Sequence, residues 1–268
     1  MDEKAPVEEV KKEVKEPEVE IEAVPIPETV EIGVSQKKGF DLEAWKPRTA
    51  LGKKVKSGEV TTIDQILTKG TTLLEVEIVD YLLPELASDL IAIGQSKGKF
   101  GGGKRSIWRQ TQKKTMEGNK PKFSALAVVG SKSGYLGLGL GKAKETVPAR
   151  EKAMRKAKLN MIKIIKGCGS WECGCGSSHS NPFKATAKVG SVIMELIPAP
   201  KGTGLCIEKE CSKLMALCGI KDIRSKTFGH TTTKLNLVKA CFEALKQLSA
   251  TRVHPEYAQK SGMRETHP

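Results

Sequence analysis

The pattern of hydrophobic and polar positions predicts a small sheet in the middle of the chain. Residues 90–93 form a short apolar run that predicts one strand, and residues 123–129 predict a second or third strand after a long connection rich in glycine and lysine. Residues 131–134, Ser-Lys-Ser-Gly, predict a turn into another strand over 135–140. A turn between two such runs is typical of a hairpin.

A helix is predicted to follow the hairpin and to cross the sheet. Thr146 is the predicted N-cap, and Pro148 lies in the first turn, where a missing backbone N–H is tolerated. Small or apolar residues then recur every four positions, so that one stripe of the helix faces the sheet. The stripe consists of Ala149, Ala153, Ala157 and Met161.

The C-terminal third of the chain predicts a second unit of strands and helices. An apolar run that ends at Pro198 indicates its first strand, and Gly219 ends the helix that follows. The predicted elements are a strand over 191–197, a helix over 208–217, a strand over 222–228 and a closing helix over 235–248. This alternation indicates an α+β fold.

Shifts in composition divide the chain into six segments. The first 36 residues alternate Pro, Glu, Val and Lys and contain no aromatic residue, so they cannot bury enough apolar surface to offset the entropy of the chain. Further on, Thr61 or Thr62 caps a short helix that Gly70 ends. The predicted segments are a disordered acidic tail at 1–36, an arm with this short helix at 37–87, a sheet-and-helix domain at 88–165, a Cys/Gly-rich connection at 166–185, an α+β domain at 186–250 and a loose tail at 251–268.

Charge is distributed unevenly along the sequence. The chain contains 45 Lys and Arg against 31 Asp and Glu, but residues 1–36 hold 4 basic and 11 acidic side chains, so that the rest carries a net charge of +21. A body with this charge attracts phosphate polymers by releasing their counterions. Acidic membranes are the alternative, but no basic amphipathic helix offers the bulky apolar face that membrane docking needs. Nucleic acid is therefore the favoured partner.

The sequence also argues against several classes of protein. No run of about 18 apolar residues exists, which excludes a helical membrane protein. The acidic start differs from an export signal, so we expect a cytoplasmic protein. Gly137, Gly139 and Gly141 fit neither a phosphate-binding loop nor a dinucleotide motif, because Leu136 and Lys142 stand where these motifs need glycine. Alternating glycines in a strand instead indicate that another backbone approaches closely.

Two stretches concentrate the positive charge. Residues 97–122 contain nine basic residues against one acid, and residues 142–166 contain nine against two. At the start of the first stretch, glycines allow backbone amides to approach a phosphate, Lys104 and Arg105 can neutralise it, and Trp108 can stack on a base. A flexible, solvated loop is the alternative interpretation. The number of charges on one small unit nevertheless favours RNA contact.

Four potential metal ligands lie within twelve residues and are named the Cys/His cluster: Cys168, Cys173, Cys175 and His179. Seven cysteines without an export signal argue against a disulfide framework. Thiolates and an imidazole can share a tetrahedral zinc ion, and the glycines between them allow the loop to fold around it. The alternatives are free thiols in a glycine-rich loop, or a nucleophilic cysteine beside a histidine, for which no third member is identifiable. The remaining cysteines considered, which we interpret as core thiols, are Cys206, Cys211 and Cys218.

Four segments occur in order: residues 101–105, Gly-Gly-Gly-Lys-Arg; 123–130, Phe-Ser-Ala-Leu-Ala-Val-Val-Gly; 139–145, Gly-Leu-Gly-Lys-Ala-Lys-Glu; and 198–204, Pro-Ala-Pro-Lys-Gly-Thr-Gly. They resemble the hallmark segments of the small-subunit ribosomal protein five family, and residues 167–173 resemble its archaeal branch. The resemblance implies an α+β fold in two parts. The first is an N-terminal double-stranded-RNA-binding-like domain, a three- or four-stranded sheet with one helix. The second is a C-terminal α+β domain with a left-handed β-α-β crossover.

The resemblance implies a structural, rRNA-binding constituent of the small ribosomal subunit that is not an enzyme. In that family the protein lies near the channel through which messenger RNA enters, contacts ribosomal proteins four and eight, and influences decoding accuracy. The alternatives are a free-standing double-stranded RNA-binding regulator and a phosphotransferase, for which the sequence offers no phosphate loop. From charge and resemblance together, the candidate rRNA-binding residues are Lys97, Lys99, Gly101, Gly102, Gly103, Lys104, Arg105, Arg109, Lys142, Lys144 and Lys201.

Overall fold

The computed structural model of the chain describes residues 45–96, 98 and 103–263, so the predicted acidic tail lies outside the described residues. The helices are α1 (Ala50–Lys56), α2 (Ile63–Thr68), α3 (Val76–Leu82), α4 (Thr146–Leu159), α5 (Lys209–Cys218), α6 (Lys234–Ala250) and α7 (Pro255–Lys260). The strands are β1 (Ala87–Ile91), β2 (Arg109–Thr115), β3 (Gly118–Ser131), β4 (Tyr135–Ala143), β5 (Met161–Lys163), β6 (Ala185–Val189), β7 (Val192–Pro198), β8 (Leu205–Cys206) and β9 (Ile223–Phe228). Within the described ranges, no helix combines the length and the apolar character needed to cross a bilayer.

Strands β1 to β5 form an antiparallel sheet that is four strands wide. One edge of the long strand β3 pairs with β4, while its other edge pairs first with β2 and then with β1. This shared edge explains why the sheet has five strands where the sequence predicts three or four. Strand β2 falls within the predicted connection because all its residues are polar and offer no apolar alternation.

Helix α4 crosses this sheet where small residues on both sides allow the two backbones to approach. A Cβ added to Gly137 would lie 2.2 Å from the carbonyl oxygen of Ala157, and one added to Gly141 would lie 2.2 Å from that of Ala149. The buried alanines of α4 therefore face the glycines of β4, as the sequence predicts. The glycines make room for a helix and not for a nucleotide.

Helix boundaries follow the predictions with two corrections. The N-cap of α4 is Glu145, whose backbone is extended, and Thr146 is already helical. Met161, predicted to end the alanine stripe, begins β5 instead. The predicted helix α2 is found, with Thr62 at its N-cap position and Gly70 following it with a φ of 65°, but the Thr62 side chain makes no capping hydrogen bond. A positive φ of this kind favours glycine because it has no Cβ.

Strands β6 to β9 form a second sheet in the order β6-β7-β9-β8. Strands β8 and β9 are parallel and are connected through α5, whereas the other neighbours are antiparallel. The predicted elements of this region correspond to β7, α5, β9 and α6, each within two residues at its ends. Gly219 ends α5 in the left-handed conformation, with a φ of 81°. The mixed α+β class is therefore confirmed, although β6 and the short β8 are not predicted.

One hydrophobic core joins the two sheets. Leu126 of β3 and Leu138 of β4 belong to the same buried cluster as Met194 of β7, and α5 and α6 complete this cluster. At the junction, the Glu210 carboxylate on α5 accepts a 3.0 Å hydrogen bond from the backbone amide of Ala92, which follows β1. The segments predicted as separate domains thus share their interior.

The arm before the first sheet has a smaller core of its own. Trp45 and apolar residues of α1, α2 and α3 are buried together with Met161 of β5. Asp64 of α2 fastens this arm to the sheet, because it accepts hydrogen bonds from the Tyr135 hydroxyl and from Lys163, each at 2.9 Å. Helices α1 and α3, which the sequence does not predict, therefore pack beside the β5 edge.

The C-terminal segment folds back onto the chain between the two sheets. The Tyr257 hydroxyl of α7 donates to the carbonyl oxygen of Pro182 at 2.6 Å, and the carbonyl oxygen of Ser261 accepts the amide of Cys168 at 2.7 Å. The prediction of a loose tail over 251–268 is therefore wrong where α7 forms. Its polar composition conceals these contacts, which use backbone groups and one aromatic residue.

Candidate nucleic-acid interface and Cys/His cluster

Strands β2 and β3 project as a two-stranded ribbon, residues 109–123, that has almost no apolar surface. Every residue of β2 except the last is exposed, and so are the first five residues of β3. At the turn between them, Met116 is fully exposed and Gly118 has a φ of 107°. A two-stranded ribbon without a packed apolar face is marginally stable in water. Its exposed side chains are therefore available to a partner.

The strand register gathers basic side chains on one face of this ribbon. Arg109 pairs with Ser124, and Ser124 pairs with Lys142 of β4, so the three residues lie side by side across three strands. Further out, Lys113 pairs with Lys120. Paired residues point to the same face, as do residues two apart on one strand. This basic face consists of Arg109, Lys113, Lys120, Lys122 and Lys142.

The basic face lies on the side of the sheet opposite α4. A Cβ on Gly141 would lie 2.2 Å from the α4 backbone, and Lys142 points the other way because successive side chains alternate. Leu138 and Leu140 of β4 share the Lys142 side and pack in the core that joins the sheets. The same face is therefore apolar where it meets the core and cationic where the ribbon leaves it.

The basic face includes an unfavourable pair in the free protein. Like charges directly opposite one another on neighbouring strands destabilise their pairing, and Lys113 faces Lys120 in this way. Lys120 also lies 2.5 Å from Glu117, but both side chains are exposed and such a pair contributes about 1 kcal/mol or less. A polyanion bound to this face would relieve the repulsion.

The predicted phosphate-binding loop begins from a short ladder. Ser96 and Arg105 form an antiparallel bridge, and the amide of Gly94 donates to the carbonyl oxygen of Ser106 at 2.8 Å. Lys104 is exposed and Arg105 is half-buried. Gly103 is described and exposed, whereas the predicted contacts Lys97, Lys99, Gly101 and Gly102 lie outside the described residues.

Several residues of the two basic stretches have internal roles in the structure. Trp108, predicted to stack on a base, is half-buried and packs against alanines of β3 and α4. Three lysines of the stretch 142–166 are used within the protein: Lys158 pairs with Asp80, Lys163 pairs with Asp64, and Lys166 donates to the carbonyl oxygen of Lys132. Burial lowers the pKa of Lys166. Lys142 and Lys144 remain exposed.

Lys201 is exposed in a tight loop at 200–204, the Lys201 loop, which follows β7. The amides of Gly202 and Gly204 donate to Oδ1 of Asp222 at 3.0 and 2.9 Å. Burial would raise the pKa of Asp222, but hydrogen bonds from these amides and from a buried histidine hold this pKa below its ordinary value. A buried carboxylate therefore fixes the backbone of the loop.

The four residues of the Cys/His cluster converge in the structure. Their ligand atoms all lie within 4.8 Å of one another, a single site in the part of the chain described. Cys168 and His179 are buried, Cys173 is half-buried and Cys175 is exposed. Burial raises the pKa of the Cys168 thiol to about 11, whereas hydrogen bonds from Ser177 lower that of Cys175 to about 6. Three thiols and an imidazole can together hold a metal ion.

Asp222, which the sequence did not indicate, orients His179. Nδ1 of His179 lies 2.8 Å from Oδ2 of Asp222, and both side chains are 6% exposed. The expectation that no third group orients the cysteine and histidine is therefore wrong. Nε2 of His179 lies 4.0 Å from Sγ of Cys173, longer than the contact between a nucleophile and its base. Asp222 is 43 residues from His179, so no local spacing could reveal it.

The cysteines interpreted as core thiols fall into two groups. Cys211 and Cys218 are buried on α5, as predicted, and burial raises the pKa of Cys218 to about 11. The interpretation is wrong for Cys206, which is exposed because β8 is the last strand of its sheet. All seven cysteines lie in the described ranges and are free.

Comparison with known proteins identifies matches over both sheets. The family "Ribosomal protein S5, N-terminal domain" matches residues 107–165, and "Ribosomal protein S5, C-terminal domain" matches residues 187–260. The chain is 47% identical over 225 residues to the small ribosomal subunit protein uS5 of Nanoarchaeum equitans, which covers 84% of this chain and 96% of that protein. It is 42% identical over 226 residues to the protein of the same name from Methanocaldococcus jannaschii, covering 84% and 97%.

Proposed function

Since the chain belongs to the ribosomal protein S5 family, we propose that it is a structural, rRNA-binding constituent of the small ribosomal subunit. Proteins of this family are structural components of the ribosome and not enzymes. The name shared by the relatives indicates the subunit, and the charge of this chain indicates the chemistry of the contact. That contact is the neutralisation of RNA phosphates by lysine and arginine.

The basic face of the β2–β3 ribbon is the observation that carries this proposal. Its five basic residues are aligned by strand pairing, and the ribbon that bears them has no core of its own. A solvated surface gains nothing from placing Lys113 opposite Lys120, whereas a phosphate backbone offers charge to both. The arrangement is therefore explained by a polyanionic partner.

The proposed rRNA contacts include more than this ribbon. Exposed Lys104 stands beside Arg105, which the bridge to Ser96 holds, and the Lys201 loop adds a cation after β7. The proposed contact residues are Lys97, Lys99, Gly101, Gly102, Gly103, Lys104, Arg105, Arg109, Lys113, Lys120, Lys122, Lys142, Lys144 and Lys201.

We further propose that, within the subunit, the protein lies near the channel through which messenger RNA enters and contacts ribosomal proteins four and eight. There it supports translation and decoding accuracy, in the ribosomes of the cytoplasm. The family resemblance supports this placement. RNA crosslinking in whole cells, read together with crosslinks between proteins, tests it. Crosslinks confined to other parts of the subunit would contradict it.

Sedimentation of gently lysed cells tests the function itself. The protein is expected to co-sediment with small subunits and to stay there after a moderate salt wash. The alternative is a free-standing double-stranded RNA-binding regulator. It is not favoured, because the chain matches nearly the whole length of relatives that are named as small-subunit proteins. It would sediment apart from subunits and bind generic duplexes. That result would refute the proposed function.

The salt dependence of rRNA binding tests the proposed contacts of Lys104 and Arg105. Replacing both Lys104 and Arg105 by alanine removes two charges, so the slope of log affinity against log salt should fall by about 1.8, or about 0.9 per phosphate contact. Glu59→Gln, an exposed substitution in the arm, serves as a control and should leave the slope unchanged. An unchanged slope in the double variant would remove both residues from the interface.

The cofactor in this proposal is a zinc ion at the Cys/His cluster, with a structural role. The convergence of three thiols and one imidazole supports it. The location of the cluster supports a structural role, because the loop that carries it connects the two sheets. A metal there would hold this connection in one conformation.

A further inference from the structure

The Cys/His cluster has the donor set and the spacing of a tetrahedral zinc site. Zinc bound at about 2.3 Å by thiolates and about 2.0 Å by imidazole needs ligand atoms about 3.5 to 3.8 Å apart. The four ligand atoms lie within 4.8 Å of one another, and Sγ of Cys173 lies 4.0 Å from Nε2 of His179. Movements of about 1 Å or less therefore complete the tetrahedron.

Close packing holds the loop that carries the thiols. A Cβ on Gly169 would lie 1.7 Å from the carbonyl oxygen of Pro182, so no larger residue fits there. A Cβ on Gly262, which follows α7, would lie 1.8 Å from the carbonyl oxygen of Gly176. The loop is therefore held on one side by the chain leading to β6 and on the other by the C-terminal segment.

Asp222 determines which ring nitrogen of His179 can bind a metal. An ionised carboxylate accepts hydrogen bonds and donates none, so Oδ2 of Asp222, 2.8 Å from Nδ1, holds the ring proton on Nδ1. Nε2 then keeps a free lone pair and faces Cys173. Histidines that bind metals commonly donate their other ring N–H to a carboxylate in this way.

The same carboxylate holds the Lys201 loop. Its Oδ1 accepts the amides of Gly202 and Gly204, while the carbonyl oxygen of His179 accepts the amide of Asp222 at 3.2 Å. Both His179 and Asp222 are buried, so these hydrogen bonds are shielded from water. A continuous set of hydrogen bonds therefore runs from the imidazole to the Lys201 loop.

We infer that the Cys/His cluster binds one zinc ion and that Asp222 couples this ion to the Lys201 loop. Asp222 is a positioning residue, since it contacts His179 through Nδ1 and leaves Nε2 for the metal. The zinc site depends only on the geometry of these residues, whereas the use of Lys201 for rRNA rests on the proposed function. A zinc-free protein found in small subunits would contradict the inference and leave the ribosomal role intact.

Metal content tests the site. Full-length protein, purified under reducing conditions with zinc present, should carry one zinc per chain in native mass spectrometry. Cys173→Ser should lose it or release it to a chelator at least about tenfold more readily, since one of four ligands is gone. Cys206→Ser removes an exposed thiol outside the cluster and should keep zinc fully. Wild-type protein without zinc, or full retention in Cys173→Ser, overturns the inference.

Asp222→Asn tests the positioning role while preserving the anchor of the loop. The asparagine oxygen can still accept the amides of Gly202 and Gly204, but its NH₂ group would donate to Nδ1 of His179 and shift the ring proton to Nε2. Zinc affinity should fall about 10- to 100-fold in a protein that still folds by circular dichroism. The matched control is Asp89→Asn, at an exposed position, which should bind zinc normally. Normal affinity in Asp222→Asn overturns the positioning role.

Hydrogen exchange reads the coupling to the Lys201 loop directly. After removal of zinc by a chelator, the amides of Gly202 and Gly204 should exchange at least about tenfold faster, because His179 no longer holds Asp222 in place. The amide of Gly94, hydrogen-bonded within the first sheet region, is the internal reference and should not change. Equal rates at both loop glycines with and without zinc overturn the coupling.

Discussion

At the scale of single residues, one glycine determines how closely β4 and α4 can pack. A Cβ on Gly139 would lie 2.2 Å from the amide nitrogen of Ala157 and 2.3 Å from the carbonyl oxygen of Ala153. Both neighbours are backbone atoms of the helix, so neither can move without shifting α4. The alternating glycines of β4 therefore meet a packing requirement of this strand.

Gly139→Ala should destabilise the protein by about 1 to 3 kcal/mol or more, because the added methyl group must push the helix away from the sheet. The midpoint of urea unfolding measures the effect. Lys142→Ala, at an exposed position of the same strand, is the control and should leave the midpoint nearly unchanged. Equal midpoints for wild-type protein and Gly139→Ala would contradict the close approach.

Glu75 anchors the arm through a carboxylate that prefers to stay ionised. The amides of Arg48 and Thr49 donate to its Oε1 at 2.8 and 2.5 Å. Burial would raise the pKa of Glu75, but these amides and the side chains of Thr49 and Trp45 hold it below its ordinary value of 4.5. Stability from a lowered pKa is fully present above the unfolded-state pKa and is lost as the pH falls through the folded-state pKa.

Glu75→Gln should therefore lower the free energy of unfolding by about 1.5 to 3 kcal/mol at neutral pH, the contribution of hydrogen bonds to a charged group. The difference from wild-type protein should shrink as the pH falls below 4.5, where the wild-type carboxylate becomes protonated. Urea titrations at several pH values measure it. Glu77→Gln, exposed on the same helix, is the control. A difference that stays constant with pH would contradict the role of the charge.

At the scale of elements, the two faces of the polar strand β2 differ in which basic residues they join. Lys113 and Lys114 are neighbours, both exposed and of equal charge, but they point to opposite faces of β2. Only the Lys113 side continues to Lys142 across the sheet. If RNA binds through the basic face, replacing Lys113 should therefore affect binding more than replacing Lys114, although the two residues carry the same charge.

Lys113→Gln should weaken rRNA binding and reduce the slope of log affinity against log salt by about 0.9, since one phosphate contact is lost. Lys114→Gln should change neither quantity beyond the small effect of net charge. The comparison is closely matched, because the two variants differ by one position and carry the same substitution. Equal effects of both variants would show that the ribbon attracts RNA through its charge alone, without a preferred face.

The elements that the sequence predicts well are those with an apolar period. Strand β7, with buried residues at alternate positions, and α4, with an alanine every four residues, are found within about two residues of their predicted limits. The polar strand β2 and the short helices α1 and α3 have no such period, since their positions depend on distant partners. The basic face was missed for the same reason, as Lys113, Lys120 and Lys122 align only when β2 pairs with β3.

At the scale of the whole molecule, the shared core makes the two sheets depend on each other. Helix α5 belongs to the second sheet by connectivity, yet its buried residues lie in one cluster with Leu126 and Leu136 of the first sheet. Lys213 of α5 also pairs with Asp89 of β1 and donates to the carbonyl oxygen of Leu90. The sequence predicts two units because it shows where periodic elements lie, but not which faces they share. The Cys/His cluster was predicted because its members are local, whereas Asp222 was not.

Leu214→Ala tests this dependence, because Leu214 is fully buried on α5 in the shared core. Its truncation should lower the free energy of unfolding by about 2 to 5 kcal/mol. If the two sheets unfold together, hydrogen exchange should become faster in β3 and β4 by the same factor as in β7 and β9, since all four strands open in one transition. Leu74→Ala, at an exposed position of the arm, should leave these rates unchanged. Faster exchange confined to β7 and β9 would instead show two independently folding units, and the shared core would then contribute packing without cooperativity.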